Sequence, residues 1–307
     1  MINYISKIKR KGLKFFLRDA KKEIIPVVLV KEKPVMDIIF QWRSYYFLKR
    51  KYLPKLHFFQ HHVAKQVSET KTIWICWMQG EENAPTIVKK CIQSIRQHAG
   101  IYEVKIITQN NISTFFKTPE FIEKALQEKR MSLTFFSDYI RLALLTKYGG
   151  IWIDATVLLT DDIPNKIAEV PFFFFQNPPQ STHSPLMGSS WFLVSKANNP
   201  ILEQVKYLVE EYWKRERYLC NYYLFHLLLA LVLRYNDENK QALKQMPYYS
   251  NAECHLLQFA LADIFEEQRF NEFCTKSFCH KLTYKLPNLE AMKSHDNFFT
   301  YITTHEF

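Results

Sequence analysis

An aspartate that directly follows a short apolar stretch is the residue of this chain best placed to do chemistry. Asp154 comes immediately after the run Ile151-Trp152-Ile153, and Thr156 follows two residues later. A run this short and this apolar predicts an inner strand of a sheet. Ligands of open α/β sheets bind at the carboxyl ends of the strands. The spacing therefore places a carboxylate at a sheet edge where a ligand would bind.

The element before this strand is predicted to be a helix that carries two more charged side chains. Ser137 is the predicted N-cap, and Asp138 follows in the first turn, where the helix dipole favours an anion. Asp138 and Arg141 are three residues apart and therefore share one face of the helix. Gly149-Gly150 is expected to end the helix, because glycine readily adopts the positive φ of a helix stop. The chain has only six glycines, so two in succession indicate a site where the backbone requires a conformation that other residues rarely adopt.

Strands and helices alternate along most of the chain, which predicts an α/β fold. The strand candidates are residues 72–77, 103–108, 151–153, 172–175 and 190–195. The helix candidates are residues 85–99, 119–129, 137–148, 200–217, 219–234 and 252–270. The first two strands and the helix between them form a βαβ unit, for which a right-handed crossover is expected. No Gly/Ser linker separates the later helices, so we expect them to pack on the same domain.

The composition predicts a chain with a substantial core. Hydrophobic residues make up 48% and aromatic residues 16% of its 307 positions, which is enough for one large domain, or for one domain with an appendage. The six cysteines contain no CxxC pair, so reduced and mostly buried thiols in the cytoplasm are expected. The sequence shows neither an apolar run of about 18 residues nor a secretory leader, and we expect no transmembrane helix.

The net charge of +11 is concentrated near the amino terminus. Residues 1–22 hold eight basic residues and one acidic residue, interleaved with apolar ones. Such a segment is typical of an interfacial helix on the inner face of an anionic membrane, and equally of a solvated helix packed on its own protein. Nucleic-acid binding is disfavoured, because no nucleic-acid motif accompanies the charge. We therefore predict a basic helical arm over residues 1–65 and one α/β domain over residues 66–307.

The ordered run of residues 137–157 resembles the SD..R......GGI..D.D signature of GT-A glycosyltransferases with a DXD sugar-binding region. The likeness is strongest to the bacterial capsular polysaccharide synthesis proteins. It is more distant to the family 32 mannosyl- and galactosyltransferases and to the glucosylating clostridial toxins. Residues 73–80 resemble the first strand of the family, and the likeness extends past residues 161–164 to cover roughly residues 70–290.

The resemblance implies a GT-A, Rossmann-like fold with an N-terminal helical arm and C-terminal helices. It also implies transfer of a hexose from a nucleotide diphosphate sugar, with a UDP-sugar as the expected donor. The acceptor would be a glycan or an undecaprenyl-linked intermediate in capsule or surface polysaccharide synthesis. Retention of the anomeric configuration is expected from the relatives. The rival interpretations are a metal-independent or inverting transferase on the same fold, and a non-catalytic assembly protein.

The resemblance also implies roles for individual residues. Asp138 and Arg141 would contact the donor sugar and its diphosphate, and Asp154 would bind a metal ion, the ribose, or both. The remaining donor contacts would come from the first strand and its end, from the glycine pair, from the acceptor-side region and from a C-terminal motif. These residues are Trp77, Gln79, Gly80, Gly150, Thr156, Ser189, Ser190, Trp191, His280 and Lys281. Trp77 would stack on the nucleobase.

The sequence departs from the family pattern at the expected metal site. The DXD triplet is Asp154-Ala155-Thr156 here, so its second carboxylate is missing. Mg²⁺ and Mn²⁺ prefer oxygen ligands and often use one or two carboxylates together with substrate phosphates. The expected ligands are therefore Asp154, Thr156 and His280, with Mn²⁺ or Mg²⁺ as the expected ion.

Overall fold

The computed structural model describes residues 33–61, 71–178, 183–286 and 295–305. Its strands are β1 Thr72–Cys76, β2 Glu103–Ile107, β3 Gly150–Ile153, β4 Val157–Leu159, β5 Phe172–Gln176, β6 Gly188–Ser195 and β7 Cys279–Lys281. Its helices up to the middle of the chain are α1 Lys33–Lys51, α2 Thr86–Gln97, α3 Ile112–Phe115, α4 Glu120–Gln127, α5 Leu133–Tyr148 and α6 Asn165–Ala168. The later ones are α7 Pro200–Arg215, α8 Leu224–Leu233, α9 Asp237–Gln245, α10 Leu256–Ala260, α11 Glu267–Lys276 and α12 Phe298–Thr304.

Five strands form one mixed sheet in the order β2-β1-β3-β6-β5. Strand β1 pairs in parallel with both β2 and β3, whereas β6 pairs antiparallel with β3 and β5. The carboxyl ends of β1 and β3 therefore reach the same edge of the sheet, and β6 begins there. All eight residues of β6 are buried, as expected of an inner strand covered on both faces. The predicted α/β class is confirmed.

A separate two-stranded ladder lies beside this edge. Strands β4 and β7 pair antiparallel, with Val157 opposite Lys281. The Leu282 amide extends the ladder by donating to the Thr156 carbonyl over 2.8 Å. This pairing brings a segment near the end of the chain directly against the residues that follow β3.

The helix before β3 begins earlier than the sequence predicts. Ser132, not Ser137, is the N-cap of α5, and its hydroxyl accepts a hydrogen bond from the Phe135 amide. Ser137 lies inside the helix, because Leu133–Phe136 add a turn in which Phe135 and Phe136 are buried. The predicted stop is correct, since Gly149 has φ 68°. A Cβ at Gly149 would come within 2.6 Å of the Ala197 backbone nitrogen, so no other residue fits there.

Helix α1 is built into the same core as the sheet domain. Tyr45, Leu48 and Tyr52 are buried in the continuous hydrophobic cluster, and the Tyr52 hydroxyl donates to Glu216 over 2.7 Å. The described part of the predicted arm therefore packs on the main body. The basic segment 1–22 and the predicted boundary near residue 65 lie outside the described residues.

The C-terminal region differs from the single helix expected over residues 252–270. The chain forms a 3₁₀ turn at Glu253–His255, the short helix α10 and, after a break, α11. Helix α8 begins at Leu224, five residues later than the sequence predicts. None of the helices in the described ranges is long and apolar enough to cross a membrane.

Candidate functional site

A cavity of about 670 Å³ opens at the edge where β1 and β3 end and β6 begins. Asp154 and Thr156 line its floor. Trp77 and Gln79 line one side, and the start of β6 lines another. Lys281 enters from β7. The cavity therefore lies at the position that the acid after a buried strand predicts for a ligand.

Asp154 is held by hydrogen bonds to both of its carboxylate oxygens. The Trp152 indole N–H donates to Oδ1 over 2.9 Å, and Arg141 Nη2 lies 3.2 Å from the same oxygen. Lys281 Nζ lies 3.2 Å from Oδ2. Burial alone would raise the pKa of Asp154, but Lys281 and Arg141 together hold that pKa below its ordinary value. The carboxylate is thus ionised and fixed in orientation at the floor of the cavity.

Arg141 lies behind Asp154 and is almost completely buried, with 3% of its surface exposed. Its Nη1 atom donates to the Ser190 carbonyl over 2.5 Å and lies 3.2 Å from Asp138 Oδ1. Its guanidinium also stacks over the Trp152 ring, with Cζ 4.9 Å from the ring centroid. A planar group with several donors suits such a cluster. Arg141 therefore links α5, β3 and β6 beneath the floor.

Asp138 also lies beneath the floor. Among the described residues, neither Asp138 nor Arg141 is part of the cavity lining. Burial raises the pKa of Asp138 to about 6, because the nearby Arg141 charge only partly offsets desolvation and Asp154 adds repulsion. Of the two helix residues that the sequence assigns to the donor, Arg141 thus contacts Asp154 and β6 in this structure, and Asp138 pairs with Arg141.

The raised pKa of Asp138 predicts a pH-dependent contribution to stability. The unfolded chain loses this proton near the ordinary pKa of aspartate, whereas the folded chain keeps it up to about pH 6. Folding therefore becomes less favourable as pH rises through this range. Asparagine does not titrate, so Asp138→Asn lacks this loss of stability. The free energy of unfolding of the variant minus that of the wild type should therefore increase by roughly 2 kcal/mol from pH 4 to pH 6. Urea denaturation at several pH values measures this difference, and a flat or falling difference would contradict it.

The donor set around Asp154 does not fit a resident divalent cation. Thr156 replaces the second carboxylate, and its hydroxyl accepts a hydrogen bond from Lys281 Nζ. In the part of the chain that the structure describes, no three His, Cys, Asp or Glu side chains cluster as metal ligands. Of the three side-chain oxygens that Asp154 and Thr156 offer to a metal, two contact the Lys281 ammonium and the third, Asp154 Oδ1, is bonded to Trp152 and Arg141. The chain supplies its own cation at this point.

His280 faces away from the cavity that its neighbour Lys281 enters, because successive side chains of a strand point to opposite faces. His280 is fully buried, and its Nε2 atom lies 3.2 Å from the Thr160 hydroxyl. Burial lowers its pKa to about 4, so the imidazole is neutral at physiological pH. Of the predicted C-terminal pair, the structure brings Lys281 to Asp154 and places His280 in the core.

Trp77 and Gln79 line the cavity where β1 ends, as the sequence predicts. Trp77 packs edge-on against Tyr284 at 5.3 Å between ring centroids. Its indole nitrogen is buried without a hydrogen-bond partner among the described residues. Gly80 follows just outside the lining with φ 84°, and turns the chain away from the strand. The two ring planes meet at 83°, so together they form an apolar corner in which a planar ligand group can stack on one ring and meet the edge of the other.

Gly150 lies at the amino end of β3, at the opposite edge of the sheet from Asp154. Glycine is required there for two reasons. Its φ is 98°, and a Cβ at this position would lie 2.4 Å from the Thr72 carbonyl oxygen. In this structure Gly150 therefore serves the close approach of two strands, and within the described ranges it is not part of the Asp154 cavity.

Ser189, Ser190 and Trp191 form the wall where β6 begins. The Trp191 ring stacks on Phe175 at 4.8 Å, and its indole N–H donates to Asn251 Oδ1 over 3.1 Å. The Asp154 amide donates to the Trp191 carbonyl over 2.8 Å, which ties this wall to the floor. The structure thus brings the predicted acceptor-side residues next to Asp154.

Sequence reasoning missed several polar residues of the cavity. Asn177 follows β5, and Asn251 and His255 lie around the turn that precedes α10. Tyr222 lies in the turn before α8, and His226 lies in the first turn of that helix. Burial lowers the pKa of His226 to about 3, so its imidazole is neutral. No spacing signal marks these residues, because each approaches from a different element.

Cys76 also lines the cavity, but burial raises the pKa of its thiol to about 12, which leaves it unreactive as a nucleophile at neutral pH.

Comparisons relate this chain to a protein family, to a sequence relative and to a solved structure. The family model described as capsular polysaccharide synthesis protein matches residues 37–302. The O-glycosyltransferase PaGT of Phomopsis amygdali is 32% identical over 111 residues, which are 33% of this chain and 27% of that protein. This chain therefore spans about a quarter of that relative's length. A solved structure, PaToxG glycosyltransferase, aligns over 80% of this chain and 96% of its own, with a TM-score of 0.37 and 14% identity. The family match includes every wall of the cavity.

Proposed function

Because the chain belongs to the capsular polysaccharide synthesis protein family, we propose that it is a GT-A glycosyltransferase. The proposed reaction moves a hexose from a nucleotide diphosphate sugar, with a UDP-sugar as first candidate, to a glycan or an undecaprenyl-linked acceptor. The observation that carries the proposal is the fixed, ionised Asp154 at the floor of a cavity with an aromatic wall and a cationic side. This arrangement suits a ligand that combines a planar base, hydroxyl groups and an anionic diphosphate.

Different walls of the cavity bind different parts of the proposed donor. Trp77 offers a flat ring for the nucleobase, and Tyr284 packs edge-on against that ring. Asp154 accepts hydrogen bonds from ribose or sugar hydroxyls, and Lys281 faces the diphosphate. The wall of Ser189, Ser190 and Trp191 lies on the acceptor side. Asp138 and Arg141 act on the donor through Asp154, whose orientation they fix.

The chemistry required of these residues is mainly positioning and electrostatic stabilisation. A glycosyl transfer needs the acceptor hydroxyl held close to the anomeric carbon and a stabilised diphosphate leaving group. Retention of configuration, as expected from the relatives, stays a prediction. The sequence predicts Mn²⁺ or Mg²⁺, whereas the contacts of Lys281 with Asp154 and Thr156 favour the metal-independent alternative. Activity in excess EDTA decides between the two.

The acceptor and its location follow from the same proposal. A lipid-linked acceptor would be met at the inner face of the cell membrane, and residues 1–22 are the segment predicted to contact that surface. This segment lies outside the described residues, so its contact with lipid stays a prediction.

A screen of nucleotide sugars by thermal shift tests the proposal directly. A ligand that binds only the folded chain adds about 2.7 kcal/mol of stability at 100 times its Kd. For a chain of this size the melting temperature should therefore rise by roughly 3–8 °C with the correct donor. UDP-, GDP- and CMP-sugars are compared with and without Mn²⁺, and free glucose serves as the control. If none of the nucleotide sugars shifts the transition, the proposed function is contradicted.

One observation favours a second candidate, a family member that assembles polysaccharide machinery without catalysis. The triplet Asp154-Ala155-Thr156 lacks the second acid that many transferases with this signature carry. The two candidates differ in one measurable respect, because the assembly protein would neither transfer nor hydrolyse a nucleotide sugar.

A further inference from the structure

The lysine at the floor of the cavity occupies the place that the sequence offers to a metal ion. Lys281 Nζ lies 3.2 Å from Asp154 Oδ2 and donates a hydrogen bond to the Thr156 hydroxyl. These are two of the three side-chain oxygens of the Asp-Ala-Thr triplet, and the third, Asp154 Oδ1, is bonded to Trp152 and Arg141. A divalent ion bound by the same two oxygens would have to lie where the ammonium lies, because oxygen ligands approach Mg²⁺ to about 2.1 Å.

The backbone fixes Lys281 in this position. Strand β7 pairs with β4 so that Lys281 is opposite Val157, and the Leu282 amide donates to the Thr156 carbonyl over 2.8 Å. At the other end of the ladder, the Thr160 amide donates to the Phe278 carbonyl over 2.9 Å. The ladder fixes the backbone of Lys281 beside the triplet. Its side chain is held there by contacts with Asp154 and Thr156.

The local charges also favour a monovalent group here. Asp154 is already paired with Arg141 on one oxygen and with Lys281 on the other. A divalent ion would therefore meet two positive groups around a single carboxylate. An ammonium has three N–H donors, and Asp154 and Thr156 use two of them. The third is left for a ligand in the cavity, whose rim also holds Lys285.

We infer that Lys281 replaces the divalent cation of this site, so that the donor diphosphate binds and departs without a metal ion. The inference rests on the proposed function. During transfer, the bond between the anomeric carbon and the terminal phosphate oxygen breaks, and its electron pair stays on that oxygen. The acceptor oxygen forms a bond to the anomeric carbon, and its proton passes to the departing diphosphate. Lys281 donates a hydrogen bond to the diphosphate throughout and keeps its own proton.

Titration calorimetry with UDP and GDP, in excess EDTA and in Mn²⁺, tests the inference without relying on activity. The wild-type Kd for the nucleotide that binds should agree within about threefold between the two conditions. Lys281→Ala should weaken binding in EDTA about 10- to 100-fold, because a charge-assisted hydrogen bond is lost. Lys281→Arg, which keeps the charge, should bind more tightly than Lys281→Ala. Lys276→Ala removes an exposed lysine of α11 and should bind as the wild type does.

The outcomes separate the inference from the function on which it rests. A nucleotide that binds the wild type in Mn²⁺ but not in EDTA overturns the inference and leaves the proposed function standing. If neither nucleotide binds in either condition, both are overturned. The wild-type titration needs no variant and decides the question even where a substitution impairs folding.

A double substitution tests whether the Lys281 ammonium and a divalent ion would occupy the same position. Thr156→Asp combined with Lys281→Ala restores a second carboxylate and removes the ammonium. In this variant Mn²⁺ should tighten nucleotide binding about 10-fold or more, and EDTA should reverse the gain. A double variant that does not respond to Mn²⁺ contradicts the claim that Lys281 occupies the position of the cation.

Discussion

Replacing Asp154 by asparagine is expected to lower the rate of glycosyl transfer about 100-fold or more. Asparagine keeps the size of the side chain and the oxygen that accepts from Trp152 and Arg141. It removes the negative charge that holds Lys281, and places a neutral group beside that ammonium. Loss of one preorganised electrostatic contact at a reacting centre reduces kcat by about 10²–10³ in enzymes. Initial rates of transfer from the donor found in the thermal-shift screen measure the effect.

Asp161→Asn is the matched control for this substitution. Asp161 is exposed, and an asparagine there keeps the oxygen that accepts from the Asp162 amide. It lies seven residues after Asp154 and is not part of the cavity lining within the described residues. We expect this variant to retain wild-type rates. Transfer that survives unchanged in Asp154→Asn, with an intact fold by circular dichroism, would remove Asp154 from the reaction.

Replacing Arg141 by alanine is expected to destabilise the folded chain by about 3–5 kcal/mol. The guanidinium is buried between Asp138 and Asp154 and also donates to the Ser190 carbonyl. Removing one partner of a buried ionic network leaves an uncompensated charge where little water can solvate it. The free energy lost in this way is far larger than the net stabilisation that the ion pair contributes. Urea denaturation at pH 7 followed by tryptophan fluorescence measures the loss.

Arg96→Ala provides the comparison at the surface. Arg96 forms an ion pair with Glu81, but 46% of its side chain is exposed. Exposed pairs of this kind contribute about 0–1 kcal/mol. Arg141→Lys should fall between the two, since an ammonium cannot bond Asp138, Ser190 and Asp154 from one plane. If Arg141→Ala costs no more than Arg96→Ala, the buried network does not stabilise the fold.

The local part of the fold could be predicted because it depends on short stretches of sequence. The glycine stop of α5, the apolar strand β3 and the acid at its end all lie within 21 consecutive residues, 137–157. The helix begins earlier than the sequence predicts because Leu133–Phe136 add a turn that buries Phe135 and Phe136 in the core. The same reason explains residues 252–270, where an uninterrupted helix was expected and packing against β7 divides the chain into short pieces.

The division of the candidate site residues between cavity and core could not be predicted. His280 and Lys281 are adjacent in sequence, and only the register of β7 on β4 decides which of the two meets Asp154. Asp138 and Arg141 lie on the predicted helix face, but their depth beneath the floor depends on how α5 packs on β3 and β6. Gly150 belongs to the signature and yet lies at the opposite edge of the sheet.

The sequence by itself determined the α/β class, the family resemblance and the acid at the sheet edge, because local periodicity and one ordered motif specify them. The tertiary structure alone decided what that acid contacts. Lys281 reaches Thr156 across 125 residues, and Asn251 reaches Trp191 across 60. Contacts over such separations are set by strand register and packing, which no local pattern encodes. The aspartate could therefore be found in the sequence, whereas its cation partner appeared only in the folded chain.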